Sequence, residues 1–228
     1  MSVVVLSGAG ISADSGLATF RDSGGLWEGY DIQEVATIDA WHQDKERVLK
    51  FYNHRRKQAA EAEPNPAHIA IANLEKKFDV SVITQNVDDL HERAGSSNVL
   101  HLHGLLREAK SENNHDIVVD IDDKPIKLGD KASDGAQLRP NVVWFGEAVP
   151  MYERAIPIVS KAEIFIVVGT SLAVYPAAAL VDYVTPGTSK YIVDPSTPGM
   201  TSFSDWEHYR ENAAIGVPKL TKKLLNKE

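Results

Sequence analysis

Four short, largely apolar runs divide the chain and predict buried β-strands. They occupy 3–6, 80–84, 164–168 and 191–193. Longer segments whose apolar residues recur at helical spacing lie at 39–63, 67–78, 152–161, 177–184 and 217–226. Strands that alternate with helices in this way predict the α/β class, with a doubly wound parallel sheet covered by helices on both faces.

A glycine-rich segment directly follows the first run. Gly8, Gly10 and Ala13 have the spacing Gly-x-Gly-x-x-Ala, which between a strand and a helix is typical of a site for a dinucleotide pyrophosphate. We expect Gly8 to permit a tight turn, Gly10 to let the backbone approach a phosphate, and an α-helix to begin immediately afterwards. An ordinary glycine-rich turn is the alternative, but residues 16–29 continue the segment with aromatic and charged groups suited to a mobile lid.

Composition narrows the class of protein. The 228 residues fit one domain with a small inserted module, and the net charge of −8 argues against a nucleic-acid partner and favours basic peptides. No apolar run is long enough for a membrane span, and the first strand leaves no room for a signal peptide. The lack of cysteine excludes disulfides, a thiol nucleophile and cysteine-bound zinc. We therefore expect a cytoplasmic monomer with no nucleic-acid or membrane partner.

Residues 107–138 differ from the rest of the chain because they are polar and acidic, with brief β-like pieces at 117–119 and 125–128. We interpret them as a module inserted into a single domain that spans 1–228. The Rossmann-like large part then comprises 1–31, 64–106 and 139–228. A small lobe comprises the helical segment 32–63 and the module 107–138. In the basic run of that helical segment we expect Arg56 and Lys57 to be solvated.

Polar residues follow the predicted strands, where an open α/β sheet binds its ligands. Gln85, Asn86 and Asp88 come after one strand, and Gly169-Thr170-Ser171 follows another. We therefore expect these side chains to meet at one edge of the sheet.

Three histidines lie near the same edge. His103 ends a short strand beside a glycine, and imidazole titrates near neutrality, which makes it the candidate general base. A buried histidine of the core is the alternative. His101 points to the other face of the same strand, and His91 lies on a short helix, so we assign structural roles to both.

Five motifs occur in order between the first strand and about Ala213. They are Gly8-Ala9-Gly10-Ile11-Ser12 with Phe20-Arg21, Gln85-Asn86-Val87-Asp88, His101-Leu102-His103-Gly104, Phe145-Gly146-Glu147 and Gly169-Thr170-Ser171. Together they resemble the sirtuins, the NAD-dependent protein deacylases, over nearly the whole chain. The resemblance implies removal of an acyl group from a lysine of a protein or peptide, with nicotinamide, O-acyl-ADP-ribose and free lysine as products.

The resemblance also implies a role for each site residue. His103 would act as general base on a ribose hydroxyl, and Asn86 would orient the ribose. The cofactor NAD is expected at Gly8, Ala9, Gly10, Ser12, Phe20, Arg21, Gln85, Asn86, Val87, Asp88, Gly169, Thr170, Ser171, Asp194 and Ala213. The acyl-lysine substrate is expected at Ala36, Tyr52, Arg55, Val143, Phe145, Gly146 and Val174, in part as an added strand.

A finer resemblance concerns Tyr52 and Arg55, which look like the acyl-pocket pair of the sirtuin branch that removes acidic acyl groups. The i, i+3 spacing places both on one helix face, and a guanidinium can hold a carboxylate with two hydrogen bonds. Ala36 is small and leaves space in such a pocket. We predict desuccinylase or demalonylase activity beside deacetylase activity. A surface ion pair of Arg55 is the alternative.

The chain departs from most sirtuins in the module 107–138, where they hold a structural zinc ion with four cysteines. We predict a metal-free lobe held by strand pairing and by apolar contacts of Ile117, Val119 and Ile126. His115 among acidic residues is the alternative metal site, but a single histidine in such surroundings is more often part of a solvated loop.

The sequence is also compatible with other functions. An ADP-ribosyltransferase or NAD glycohydrolase would use the same fold, whereas a non-catalytic NAD-sensing module would not need Asn86, Asp88 and His103 together. A dehydrogenase is disfavoured because its fingerprint needs an acidic residue about 20 positions on, at the end of the second strand, whereas the next strand here ends in Thr84-Gln85-Asn86. Asp194 stands near a position where many relatives have asparagine, but its carboxylate can still accept hydrogen bonds from a ribose.

Overall fold

A computed structural model describes residues 1–19, 26–27, 30–197, 199 and 205–226. The strands are β1 (Ser2–Ser7), β2 (Leu26–Trp27), β3 (Tyr30–Asp31), β4 (Asp79–Thr84), β5 (Val99–His101), β6 (Gly104–Ser111), β7 (Val118–Asp120), β8 (Leu138–Val142), β9 (Ile164–Val168), β10 (Ser189–Val193) and β11 (Trp206–Tyr209). The α-helices are α1 (Ile32–Val35), α2 (Ile38–Gln43), α3 (Lys45–Glu61), α4 (Pro66–Leu74), α5 (Leu90–Arg93), α6 (Met151–Ser160) and α7 (Ala213–Asn226). Within these ranges no helix is both long and apolar enough to cross a membrane.

The main sheet has six parallel strands in the order β11-β10-β9-β1-β4-β5. The chain leaves the central strand β1 towards β4 and β5, and later returns to build β9, β10 and β11 on the other side. This confirms the predicted doubly wound α/β sheet. The reversal at β1 opens a crevice at the carboxyl ends of β1, β4 and β9, which is where such sheets bind ligands.

Side chains of β1 alternate between two apolar cores, one on each face of the sheet. Val3 and Val5 pack in the core shared with α4 and α7. Val4 and Leu6 pack in the core shared with α6. Burial on both faces explains why the strand has a continuous apolar run rather than an alternating pattern.

The second sheet is antiparallel, in the order β7-β6-β8, and lies with α1, α2 and α3 around a third core. That core is rich in aromatic residues. Trp144 packs against Trp41 with ring centroids 5.4 Å apart and against Tyr52 at 6.0 Å. Ile126 is buried in it as predicted, whereas Val119 is 39% exposed, so the expected contact of Val119 is wrong.

Two predicted helices have different forms. The α-helix expected directly after the glycines is wrong, because two 3₁₀ helices, Ala9–Ile11 and Ala13–Ser15, occupy this segment. Serine, aspartate and glycine have low helix propensity, and Gly16, at φ +87°, ends the second turn. The segment 177–184 is also 3₁₀ rather than α, over Ala177–Tyr183.

The helix expected over 39–63 is broken into α2 and α3. Asp44 interrupts it, because its Oδ1 accepts a hydrogen bond from Arg47 N and caps the start of α3. The expected β-like piece at 125–128 is also wrong. There the backbone N–H and C=O of Ile126 bond to the side chain of Asn53, at 2.9 and 2.8 Å, and not to a neighbouring strand.

Arg56 is buried, contrary to the expectation that it is solvated. Only 2% of it is exposed. Its Nε donates to the Leu106 carbonyl at 2.6 Å and its Nη1 to Asn53 Oδ1 at 2.7 Å. Arg56 therefore joins α3 to β6, and its cation lies inside the small lobe rather than on its surface.

Side-chain hydrogen bonds hold the loops of the module 107–138. Gln137 accepts from Gly129 N at 2.7 Å and donates to the carbonyls of Lys127 and Leu138, at 3.0 and 2.8 Å. Ser111 Oγ donates to Asp134 at 2.6 Å. In the described ranges no group of three or more histidine, cysteine or acidic residues is placed to hold a metal ion.

Two buried histidines lie behind the crevice. His68 is fully buried, and its Nδ1 accepts from Asn65 N at 3.3 Å in the capping box of α4. His91 packs edge-on against it, with ring centroids 5.0 Å apart. Burial lowers the pKa of His68 to about 4 and also lowers that of His91 well below its ordinary value. Both rings are therefore neutral at pH 7.

The free energy of unfolding is expected to fall as the pH drops from 6.5 to 4. In this window the two histidines bind protons in the unfolded chain but stay neutral in the folded protein. His68 alone therefore lowers the free energy of unfolding by up to about 1.4 kcal/mol per pH unit. His68→Gln keeps a capping-box side chain and should flatten this slope in urea unfolding. His42→Gln, on the exposed side of α2, is the control. An unchanged slope in His68→Gln would contradict the assignment.

Candidate active site

A cavity of about 530 Å³ lies at the crevice, between the main sheet and the small lobe. The predicted site residues that the structure describes all line it. They are Gly8, Ala9, Gly10, Ser12, Ala36, Tyr52, Arg55, Gln85, Asn86, Val87, Asp88, His103, Val143, Phe145, Gly146, Gly169, Thr170, Ser171, Val174, Asp194 and Ala213. Phe20 and Arg21 lie outside the described residues. The fold thus gathers residues from nine separate segments around one space, although the role of each stays a prediction.

The glycines of the first motif allow two loops to touch. A Cβ on Gly8 would lie 2.7 Å from Thr170 Cβ, and one on Gly10 would lie 2.7 Å from Gly169 Cα. Gly8 has extended backbone angles, so close approach, and not the predicted tight turn, requires glycine there. Gly169, at φ +59°, is the residue with the turn conformation.

These loops fit a dinucleotide. The segments 8–12 and 169–171 contain only glycine, alanine, isoleucine, serine and threonine, so main-chain and hydroxyl groups line this part of the cavity without a charged side chain. Main-chain groups of this kind can bind a pyrophosphate. These residues would hold the phosphates of NAD.

A chain of hydrogen bonds fixes the polar side chains after β4. Asn86 Nδ2 donates to Ser12 Oγ at 3.0 Å, and Ser12 Oγ donates to Asp88 Oδ2 at 3.1 Å. Leu90 N donates to the other oxygen of Asp88 at 3.3 Å. Burial raises the pKa of Asp88, although these hydrogen bonds oppose the rise. These hydrogen bonds fix the orientation of the Asp88 carboxyl group, which can accept a hydrogen bond from an amide.

The ring of His103 contacts a backbone carbonyl. Its Nδ1 lies 2.9 Å from the Gln85 carbonyl oxygen, which can only accept a hydrogen bond, so Nδ1 bears the proton. In the neutral ring Nε2 then has a lone pair. Burial lowers the pKa of His103, although the bond to Gln85 opposes this. The neutral form, which a general base needs, therefore predominates at pH 7.

Tyr52 and Arg55 form the wall of the cavity on the side of the small lobe. Both are on one face of α3 and both are buried, at 1% and 7% exposure. Burial raises the pKa of Tyr52, so its hydroxyl stays neutral and can donate a hydrogen bond. Ala36, also buried, adds no bulk beside them. On this side of the cavity the Arg55 guanidinium and the Tyr52 hydroxyl lie beside the small side chain of Ala36.

A buried ion pair supports the segment opposite. Arg139 is 1% exposed and bonds to both carboxylate oxygens of Glu147, at 2.6 and 2.9 Å. The guanidinium carbon lies 3.4 Å from the ring centroid of Trp144, and Glu147 accepts from Trp144 N at 2.8 Å. Burial alone would raise the pKa of Glu147, but Arg139 lowers it below its ordinary value. The pair fixes the turn that contains Phe145 and Gly146.

The backbone of Phe145 is already paired within the chain. Its N–H donates to the Ala36 carbonyl at 3.0 Å, and its own carbonyl accepts from Ile38 N at 3.4 Å. The carbonyl of Val174, on the other side of the cavity, accepts from Ala178 N at 2.9 Å. A peptide added as a strand, as predicted, would thus have to use other groups of these two segments.

Asp194 lies at the end of the cavity near α7. It is 5% exposed, and its Oδ1 accepts from Ser196 N at 2.8 Å. Sequence reasoning missed several lining residues here and around the cavity. They include Asp14, Trp144, Ser196 and Asn212. All four lie within two positions of a predicted residue, so widening each motif by one or two positions would have found them.

Comparison with known proteins places this geometry in a family. The Sir2 family profile matches residues 8–176, which is well over half of the chain. The chain belongs to the Sir2 family. An NAD-dependent protein deacylase of Bacteroides thetaiotaomicron is 49% identical over 229 residues, covering 98% of each chain. One of Helicobacter pylori is 49% identical over 224 residues, covering 98% of this chain and 95% of its own.

Solved Sir2 structures have the same fold. A Sir2 homologue in complex with NAD has a TM-score of 0.88 at 39% identity, covering 98% of this chain and 89% of its own. A Sir2 protein bound to a propionylated peptide has a TM-score of 0.80 at 30% identity, covering 100% and 94%. The resemblance stated from the motifs is confirmed, and this Sir2 protein is an NAD-dependent protein-lysine deacylase.

Proposed function

We propose that this Sir2 protein removes acidic acyl groups, succinyl or malonyl, from lysine, in addition to acetyl. The observation that supports the proposal is the position of Tyr52 and Arg55, adjacent on α3 and both in the cavity wall. A buried guanidinium strengthens hydrogen bonds to a carboxylate, and the Tyr52 hydroxyl can donate a further one.

The roles of the other residues follow from their contacts. When bound, NAD supplies an electrophilic ribose carbon with nicotinamide as its leaving group. Asp88 would accept a hydrogen bond from the carboxamide, and Asn86, held by Ser12, would orient the ribose. His103 would take the proton of a ribose hydroxyl on Nε2, because Nδ1 keeps its own proton against Gln85.

Turnover of matched acetyl-lysine and succinyl-lysine peptides with NAD tests the proposal. In Arg55→Met we expect kcat/KM for the succinyl peptide to fall about ten- to a hundredfold, since a charge-assisted hydrogen bond is lost, while acetyl turnover is kept. Arg47→Met is a matched control, because Arg47 lies on the same helix but is exposed and bound to Glu34.

Equal loss on both peptides, or no succinyl turnover in the wild type, would overturn the acidic preference. No NAD-dependent turnover of either peptide, with NAD still consumed, would instead favour ADP-ribosyl transfer or NAD hydrolysis.

A further inference from the structure

His101 and His103 each contact one of two consecutive backbone carbonyl groups after β4. His103 Nδ1 contacts the Gln85 carbonyl at 2.9 Å, and His101 Nδ1 contacts the Asn86 carbonyl at 3.0 Å. Asn86 thus has its side chain held by Ser12 and its carbonyl by His101. His101 does not line the cavity, so its direct hydrogen bond to the site is this backbone contact, while its charge also acts on Asp88.

The second nitrogen of His101 contacts an acidic side chain. Nε2 lies 2.7 Å from Glu92 Oε1, on α5. A carbonyl oxygen only accepts, and so does an ionised carboxylate, so both ring nitrogens must donate. With Glu92 ionised, this geometry is satisfied only by the imidazolium form of His101. His103, with one such contact, needs no second proton.

The charges around His101 agree with this assignment. Burial opposes its protonation, but the hydrogen bond and charge of Glu92 raise its pKa above the ordinary value, helped by Asn86 and Asp88. Burial would likewise raise the pKa of Glu92, but His101, together with Arg107 of β6, lowers it. His91, also on α5, is a further titratable group that His101 influences, and it is neutral.

We propose that Glu92 and His101 form a positioning pair for deacylation, in which the imidazolium holds the Asn86 carbonyl and thereby fixes the segment that presents Asn86 and Asp88 to the cofactor. Neither Glu92 nor His101 lines the cavity, so both are positioning residues. The proposal concerns the deacylation step itself and does not depend on which acyl group is preferred.

A neutral His101 has one proton for two acceptors, so it must give up either Asn86 or Glu92. The positioning is therefore lost as the pH rises through the raised pKa of His101. This predicts a decline of kcat centred above pH 6.5, the ordinary histidine value, that His103, whose pKa is lowered, does not cause.

Glu92→Gln is the sharpest variant, because glutamine keeps an acceptor oxygen but removes the charge that keeps His101 protonated. We expect kcat with an acetyl-lysine peptide to fall about tenfold at pH 6.5 with KM nearly unchanged, and the alkaline decline to move to lower pH. Glu153→Gln, on an exposed part of α6, is the control. A pH profile of Glu92→Gln that superimposes on that of the wild type would overturn the proposal.

Imidazole ¹⁵N NMR of the wild type gives an independent test that does not depend on whether a variant folds. At pH 6.5 we expect the form of His101 with both nitrogens protonated to predominate, whereas His103 is mainly protonated on Nδ1 alone. A neutral His101 signal at this pH would refute the pair even if Glu92→Gln were too unstable to assay.

Discussion

His103→Asn is expected to lower kcat for deacylation of an acetyl-lysine peptide by about 10²- to 10⁴-fold, the usual cost of removing a general base. Asparagine can still donate a hydrogen bond to a carbonyl, as His103 does to Gln85, but it has no basic nitrogen. Stopped peptide assays with saturating NAD measure the effect. In the wild type the acid limb of the profile should lie below pH 6.5, because burial lowers the pKa of His103.

His115→Asn provides the control for a histidine-to-asparagine change, since His115 is exposed in the small lobe. Nicotinamide release is measured in parallel, because cleavage of NAD does not need the base and should fall less than deacylation. A loss of deacylation below tenfold would show that His103 is a structural histidine.

Arg139→Met is expected to destabilise the fold by about 3–5 kcal/mol, the cost of leaving one member of a buried ion pair alone. Glu147 would keep its charge in a largely buried position and lose two hydrogen bonds, and Trp144 would lose the cation over its ring. The melting temperature should drop by about 10 °C or more in calorimetry.

The double variant Arg139→Met, Glu147→Gln separates the lost pair from the stranded charge, and it should recover part of the stability because glutamine is neutral. Arg154→Met, on the exposed side of α6, serves as the control for the loss of an arginine. If the single and double variants have the same melting temperature, the uncompensated carboxylate is not the cause of the lost stability.

The site was predictable because its residues follow strands. Parallel strands place their carboxyl ends at one edge, so Gln85, His103 and Gly169 had to meet once the alternation of strands and helices was recognised. The Sir2 motifs then supplied roles that spacing alone could not. Strand β11 was missed because Trp206–Tyr209 mixes polar and aromatic residues and is short.

The sequence did not predict contacts in which a polar side chain bonds to the backbone of a distant or neighbouring segment. Asp44 ends one helix and begins the next, which its periodic surroundings conceal. Arg56 has the appearance of a surface residue, yet its acceptor is the carbonyl of Leu106, fifty positions away. The contact of His101 with the Asn86 carbonyl was unpredictable for the same reason, because every residue has a backbone carbonyl and the residue type gives no signal.

The hydrogen bonds of Gln137 and Ser111 have a consequence for the conditions that this deacylase tolerates. Amides and hydroxyls hold the loops of the module 107–138, and the chain has no thiolate there or anywhere else. Peroxide has no cysteine to oxidise, and a chelator finds no sulfur-bound ion to withdraw. Reagents that modify thiols therefore have no cysteine to attack in the small lobe, and the hydrogen bonds that hold its loops do not depend on the thiol redox state.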